Sequence, residues 1–201
     1  HSVAIGTNRV DQLDPALVSR FDMIFLVEYT DEQMEIILHG ALKDENIVFN
    51  ENSMRTLAEC NRGTARDVIH WQDAIRQHMA IKGLTNGRKL INKADIAAII
   101  RLRETYPLGV NANELRTMLV LEKWGEQQLK ELAAKNGIDS KEQNANEKYL
   151  LRRGLIEITG KRKLTPEGRN YLKLLRRENY IAQRDDDEQT GAATIETPAQ
   201  G

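Results

Sequence analysis

The sequence contains almost no cysteine and no long hydrophobic run. Cys60 is the only cysteine in 201 residues, so the chain cannot form an internal disulfide, which suits a reducing compartment. No stretch approaches the roughly 20 apolar residues that cross a bilayer, and the first residues show no signal-peptide pattern. We therefore expect a cytoplasmic chain without a membrane partner. Cys60 follows the apolar row of Met54, Leu57 and Ala58, which favours a buried packing residue over a reactive thiol.

Charge is balanced over the whole chain but not along it. Apolar residues make up 40% and charged residues 29%, as in ordinary globular domains, and the net charge is −1. Residues 147–177, however, hold ten basic and three acidic side chains, a local charge of +7, and residues 185–188 are all acidic. A basic block of this kind is typical of a nucleic-acid-binding module, although a merely solvated helix surface remains the alternative.

The pattern along the first hundred residues predicts two buried strands and then a helical bundle. Residues 3–8 and 21–27 are apolar enough for strands, but two strands do not make a stable sheet. We expect the other strands to come from residues upstream of His1. Between residues 30 and 104, apolar side chains recur at helical spacing and predict four helices. Their expected N-caps are Thr30 (in a capping box with Gln33), Asn50, Thr64 and Asn92.

The second half predicts a winged helix-turn-helix. Tyr106-Pro107-Leu108-Gly109 is typical of a domain junction, and three helices are expected at about 113–121, 126–135 and 140–153. Ser140 and Gln143 predict a capping box, and Gly154 a helix end. Short strands at 155–158 and 162–164 flank a turn, and Pro166 begins a last helix. The polar residues from Gln183 onward predict disorder.

Three short motifs follow one another in an informative order. They are Gly6-Thr7-Asn8 at a strand end, Ser19-Arg20-Phe21-Asp22 in a loop, and Gly63-Thr64-Ala65-Arg66 at a helix start. This succession resembles the second half of a AAA+ ATPase module. The resemblance implies that Asn8 is sensor 1, that Arg20 is the finger reaching a neighbouring subunit's nucleotide, and that Arg66 is sensor 2 in the lid.

The residue types suit those roles. An amide such as that of Asn8 can orient water or bond a γ-phosphate, and a guanidinium meets phosphoryl oxygens with paired donors. Structural alternatives exist for both arginines. Arg20 can form a salt bridge with Asp22 or Asp14, and Arg66 can pair with Asp67 or Glu59.

Within AAA+ proteins the sequence is most similar to the RuvB family, the hexameric motors of Holliday-junction branch migration. The similarity lies in Arg62-Gly63-Thr64-Ala65-Arg66, in the segment from Glu147 to Ile156, and in Lys161-Arg162-Lys163-Leu164-Thr165-Pro166, and it spans about residues 4–175. Ala65 stands where the family usually has proline, the connection at 135–146 is longer and charged, and the tail is acidic. These differences leave open whether the resemblance implies RuvB itself or a RuvB-like cousin.

The resemblance implies a division of the chain and a set of partners. Residues 1–29 would end an α/β AAA+ core, residues 30–106 form an all-α lid, residues 107–179 the winged helix, and residues 180–201 a disordered acidic tail. It also implies ATP and Mg²⁺ as cofactors of the full-length protein, a homo-oligomeric ring, a junction-binding adaptor, and double-stranded or branched DNA as substrate.

Five basic residues are the expected DNA contacts of the winged helix. We expect them to cluster at the end of its third helix and at the hairpin tip, where they can straddle the phosphate backbone without reading bases: Arg152, Arg153, Lys161, Arg162 and Lys163. The alternative is that this unit docks protein.

Several chemical signatures are missing from the sequence. It has no Gly-x-x-x-x-Gly-Lys-Ser/Thr loop and no apolar strand ending in Asp-Glu, so we expect that this fragment alone neither binds ATP tightly nor hydrolyses it. His39, His70 and His78 lack partners at metal spacing, so no zinc site is expected. Two other functions stay open: a AAA+ replication initiator or loader, and a non-enzymatic winged-helix DNA-binding regulator.

Overall fold

The computed structural model describes residues 3–7, 9–50, 52–84 and 89–183. These residues fold mainly into helices, with short strand pairs. In chain order the elements are α1 Pro15–Val18, α2 Asp31–Leu42, β1 Ile47–Phe49, α3 Ser53–Glu59, α4 Ala65–Ile81, β2 Lys89–Ile91, α5 Lys93–Leu102, α6 Ala112–Trp124, α7 Leu129–Asn136, α8 Ser140–Arg152, β3 Ile156–Thr159, β4 Lys161–Leu164 and α9 Pro166–Arg177.

The segment before α2 contains no strand among its described residues. The strands predicted at residues 3–8 and 21–27 are therefore wrong for the described part of this segment, which forms only α1 and a short 3-10 turn at Val10–Gln12. The apolar side chains expected to be buried are exposed, Leu26 by 92% and Val27 by 86%. A strand needs a neighbour to satisfy its backbone, and none of the described residues pairs with this segment as a strand.

The helical unit comprises α2 to α5 and buries one hydrophobic core. The four predicted helices are confirmed, and their apolar faces meet around Trp71, Met34 and Ile99, with Cys60 buried among them. Burial raises the pKa of the Cys60 thiol to about 12, so this side chain is a packing residue. The parallel pairing of β1 with β2 was not predicted, because three-residue strands are too short to show a periodicity.

Helix caps agree with the sequence at some positions and differ at others. The capping boxes of Thr30 with Gln33 and of Asn92 with Asp95 are formed. Thr64 is the N-cap of α4, although its hydroxyl bonds the Asp67 carboxylate rather than the backbone. The predicted cap at Asn50 is wrong, because Asn52 precedes α3 with left-handed backbone angles.

The C-terminal unit comprises α6 to α9 with the antiparallel hairpin β3–β4. The predicted order of three helices, hairpin and helix is observed, and the side chains from all these elements share a second core. Asp139, not Ser140, caps α8. Gln143, expected in a capping box, is instead buried and bonds Asn136 at 2.8 Å and Glu147 at 3.0 Å.

A tight connection joins the two units. Pro107–Gly109 forms a 3-10 turn in which Gly109 has a φ of 70°. A side chain at Gly109 would overlap the carbonyl of Cys60 at the end of α3. The turn is also held by tyrosine hydroxyls, since Tyr149 donates to the carbonyl of Leu108 and Tyr171 to that of Pro107, each at 2.5 Å.

The packed chain extends beyond α9. The Tyr180 ring packs against both cores, and the Gln183 amide donates to the carbonyl of Arg176 at 3.0 Å. The tail predicted from residue 180 therefore begins with packed residues, while residues 184–201 lie outside the described part. Within that part, no helix has the length and apolar character needed to cross a membrane.

Replacing Gly109 by alanine should destabilise the junction. A positive φ costs an L-residue about 1–2 kcal/mol, and overlap with the Cys60 carbonyl should add about 1–3 kcal/mol. Gly137→Ala is the matched control, because Gly137 also has a φ of 70° but open space around it. Urea denaturation of both variants measures the difference, and equal losses in the free energy of unfolding would show that the close approach is unimportant.

Candidate functional site

Arg20 lies on the surface of the segment that precedes α2. It follows Ser19, which ends α1, and its side chain is exposed. The alternative partner Asp14 is occupied otherwise, because its carboxylate caps α1 by accepting from the Ala16 amide at 2.8 Å. Arg20 forms no ion pair with any residue that the structure describes, so its guanidinium is available to another molecule.

Arg66, on the helical unit, is likewise an exposed arginine. It is the second residue of α4, where its side chain is exposed and forms no ion pair with the described residues. Its two alternative partners are engaged elsewhere. Asp67 accepts from the Thr64 hydroxyl at 3.0 Å, and Glu59 pairs with Arg55 at 3.2 Å.

Asn8, the third candidate for nucleotide contact, lies outside the described residues. Its neighbours Thr7 and Arg9 are exposed, and the Arg9 amide donates to the Thr7 hydroxyl at 3.0 Å. The role of Asn8 therefore stays a prediction.

Arg152 and Arg153, at the end of α8, contact the helical unit. Arg153 donates to both carboxylate oxygens of Asp31 at 2.8 and 3.1 Å, and to the Glu59 carbonyl at 2.5 Å. Arg152 forms an ion pair with Glu28 and donates to the Arg62 carbonyl at 3.2 Å. These contacts join residues that are 90 and more positions apart in sequence.

The hairpin arginine is directed inward as well. Arg162 pairs with Glu147 of α8 at 3.1 Å, and Glu147 is only 1% exposed. The backbone of Arg162 pairs with that of Gln127 in an isolated β-bridge. Lys163 lies 3.3 Å from Glu157 across the hairpin, whereas Lys161 is exposed and forms no ion pair with the described residues.

Three of the five predicted DNA contacts thus have carboxylate partners within the chain: Arg152 and Arg153 pair with the helical unit, and Arg162 pairs with α8. The role of the five residues in DNA binding stays a prediction. The sequence shows the charge of a guanidinium but not the distant carboxylate that neutralises it. Other basic side chains of this unit are exposed, among them Lys141 and Lys148 on α8 and Lys161 on the hairpin.

Sequence reasoning also missed the residues at the centre of the junction. Arg62 contacts Glu114 with both terminal nitrogens, at 2.9 and 2.7 Å, and its guanidinium lies 3.8 Å from the centroid of the Tyr149 ring. A local signal indicates only part of this group: Tyr149 lies three and four positions before Arg152 and Arg153, so these three share one helix face. Arg62 and Glu114 are 52 positions apart, and no local pattern connects them.

No metal site is formed by the described residues, in that no three His, Cys, Asp or Glu side chains come together suitably. His78 is buried against Asp95 at 2.9 Å, with Lys82 on the same carboxylate at 2.6 Å. Burial would raise the pKa of Asp95, but hydrogen bonds from Asn92, Lys82 and His78 lower it to about 2. This cluster caps α5 and is structural.

The fold resembles that of solved RuvB structures from Thermotoga maritima. The RuvB Holliday junction branch migration motor superposes with a TM-score of 0.61 at 22% identity, covering 80% of this chain and 55% of that one. Two single-substitution mutants of the same protein give TM-scores of 0.62 and 0.61, also at 22% identity. The chain thus spans about half the length of these proteins, and the predicted RuvB-like fold is confirmed. No protein-family model and no curated protein matches the sequence.

Arg162→Met should destabilise the chain, whereas Lys161→Met should not. Loss of Arg162 leaves the buried Glu147 without its counter-charge, which costs about 3 kcal/mol, while Lys161 is exposed and unpaired among the described residues. Urea denaturation of the two variants gives the comparison directly. If Lys161→Met were the more damaging change, the inward role of Arg162 would be wrong.

Proposed function

We propose that this chain is the C-terminal part of a ring-forming, ATP-driven DNA motor that resembles RuvB and acts in recombination or repair by branch migration. The observation that carries the proposal is the exposed Arg66 at the start of α4, unpaired among the described residues, in a chain with a RuvB-like fold. A cation held at a helix surface without a partner is suited to meet an external anion.

The nucleotide contacts of this chain would complete a site built mainly by other residues. ATP with Mg²⁺ supplies the transferable phosphoryl group, and the sequence contains no phosphate loop to hold it. Arg66 would donate to phosphate oxygens of its own subunit's nucleotide, and Asn8 would orient the attacking water. Arg20, exposed on a different segment, would reach the nucleotide of the adjacent subunit. Hydrolysis would then require an assembled ring, which we propose is a hexamer.

The C-terminal unit would contact DNA as a winged helix, with α8 and the β3–β4 hairpin facing the duplex. Exposed Lys141 and Lys148 on α8 and Lys161 on the hairpin would meet phosphates, and Lys163 would add to them despite its pairing with Glu157. Such contacts fix position without reading sequence, which suits a motor that moves along any DNA. A junction-binding adaptor would direct the ring to branched DNA.

Arg20→Ala and Arg66→Ala should each abolish ATP hydrolysis by the full-length protein. Loss of an arginine finger lowers the rate by about 10³-fold or more, because developing charge on the phosphoryl oxygens is no longer neutralised. Mixing the two inactive variants should restore part of the activity, since a site can then combine its own Arg66 with its neighbour's Arg20. Steady-state ATPase assays of each variant and of the mixture measure this.

Arg55→Ala is the control for both variants, because Arg55 is an exposed arginine on α3 whose ion pair among the described residues is with Glu59. It should keep full activity. Failure of the mixture to recover would overturn the assignment of Arg20 to a neighbouring subunit. Activity unchanged in Arg20→Ala would favour the regulator, and helicase loading without migration of a four-way junction would favour the initiator or loader.

Lys148→Ala and Lys161→Ala should weaken duplex DNA binding without changing sequence preference. Each lost phosphate contact should lower the slope of log affinity against log salt concentration by about 0.9. Fluorescence anisotropy over a salt series measures both quantities, with Lys43→Ala on the helical unit as the control. Unaltered slopes in both variants would exclude the α8 and hairpin face as the DNA contact, and would favour docking of protein there.

A further inference from the structure

We infer that Arg62 is a positioning residue that fastens the C-terminal unit to the loop preceding α4 and Arg66, so that a displacement of the DNA-contacting unit is transmitted directly to the nucleotide contact. The inference rests on the proposed function, which supplies the roles of Arg66 and of the C-terminal unit. We call the contacts of Arg62, Arg152 and Arg153 at the junction between the two units the lock, and all of them lie within this chain.

The first component of the lock is a two-pronged ion pair. Arg62 donates from both terminal nitrogens to the two carboxylate oxygens of Glu114, and also to the Gly109 carbonyl at 3.0 Å. Glu114 is buried and fixed, because its carboxylate also accepts from the Asn111 amide at 2.9 Å in the capping box of α6. A planar fork matched to a fixed carboxylate defines an orientation, which a single charge contact does not.

The second component is a stack of cations on one aromatic ring. Arg62, Arg152 and Arg153 lie 3.8, 4.8 and 5.7 Å from the centroid of Tyr149. The Tyr149 hydroxyl donates to the Leu108 carbonyl and accepts from Arg153 at 3.1 Å, so the ring cannot turn away. Guanidinium groups on an aromatic face are attracted more strongly where water is partly excluded.

The third component is a set of anchors on the helical unit. Arg153 holds Asp31 at the start of α2 and the Glu59 carbonyl at the end of α3, while Arg152 holds Glu28 and the Arg62 carbonyl. A carboxylate thus faces each of these two arginines, although burial and the neighbouring Arg153 lower the pKa of Arg152. Burial alone would lower the pKa of Arg153, but its bonds to Asp31 and Tyr149 raise it, so this guanidinium stays charged.

The short segment from Arg62 to Arg66 is held by several contacts, so Arg66 cannot move independently of the lock. Gly63, with a φ of 84°, packs against the side chain of Glu28, and its carbonyl accepts from the Tyr29 amide at 3.2 Å. The Arg62 amide donates to Asp67, which lies next to Arg66 in the first turn of α4. Movement of α6 or α8 relative to α4 must therefore break these contacts or carry Arg66 along.

The lock is tested in this chain by measuring the distance between the units. Spin labels at Gln77→Cys on α4 and Thr159→Cys on the hairpin report it, and buried Cys60 does not react with the label. We expect a narrow distance distribution that broadens and shifts in Arg62→Lys, which loses the fork and the flat stack. Glu114→Gln is the second variant, since glutamine keeps the capping box but removes the charge. Arg55→Gln is the control and should leave the distribution unchanged.

The transmission is tested in the full-length protein by ATPase assays with and without duplex DNA. Arg62→Lys and Glu114→Gln should keep the basal rate while the stimulation by DNA falls by about fivefold or more, the size of an ordinary coupling between sites. A variant with a broadened distance distribution and intact stimulation would overturn the inference, as would an unchanged distribution in both variants. A wild-type protein that never hydrolyses ATP would instead overturn the proposed function, while the distance measurement would still decide the lock.

Discussion

The guanidinium of Arg62 must lose part of its hydration shell to reach Glu114. The free-energy cost of this desolvation is offset only when all the contacts of the junction are formed. Glu114 is buried, Tyr149 covers one face of the guanidinium, and Gly109 must lack a side chain for the turn to approach Cys60. Buried ion pairs of this kind contribute little net stability compared with apolar packing, but they tolerate few alternative geometries. The relative placement of the two units follows from this constraint.

The five arginines Arg20, Arg62, Arg66, Arg153 and Arg162 divide into two groups by their surroundings. Arg62, Arg153 and Arg162 have carboxylate partners and maintain the architecture. Arg20 and Arg66 have no ion-pair partner among the described residues, and both are exposed. A guanidinium without a hydrogen-bond partner is costly in the protein interior, whereas in water it bonds solvent molecules instead. Solvent exposure without a protein partner is therefore the property expected of an arginine that binds an external phosphate.

Local signals predicted the helices, whereas distant pairings escaped the sequence. Recurring apolar positions and the caps at Thr30 and Asn92 depend on residues a few positions apart, and they were predicted correctly. The strands at 3–8 and 21–27 failed because a strand depends on partners that the pattern does not name. The carboxylate partners of Arg152 and Arg153, Glu28 and Asp31, lie more than a hundred positions earlier in the sequence. Because no local pattern indicates these partners, the sequence shows only two basic side chains, which predicts DNA contacts. Asn8 lies outside the described residues, so its role stays a prediction.

The stretch Ile24-Phe25-Leu26-Val27 also has a consequence for the behaviour of the chain. Each of these side chains is at least 74% exposed, and the segment has β-branched and aromatic character with no charge to discourage pairing. None of the residues that the structure describes pairs with this stretch as a strand, and two copies of such a stretch can associate edge to edge. The solubility of this polypeptide therefore depends on what covers residues 24–27, because leaving these apolar side chains uncovered favours aggregation.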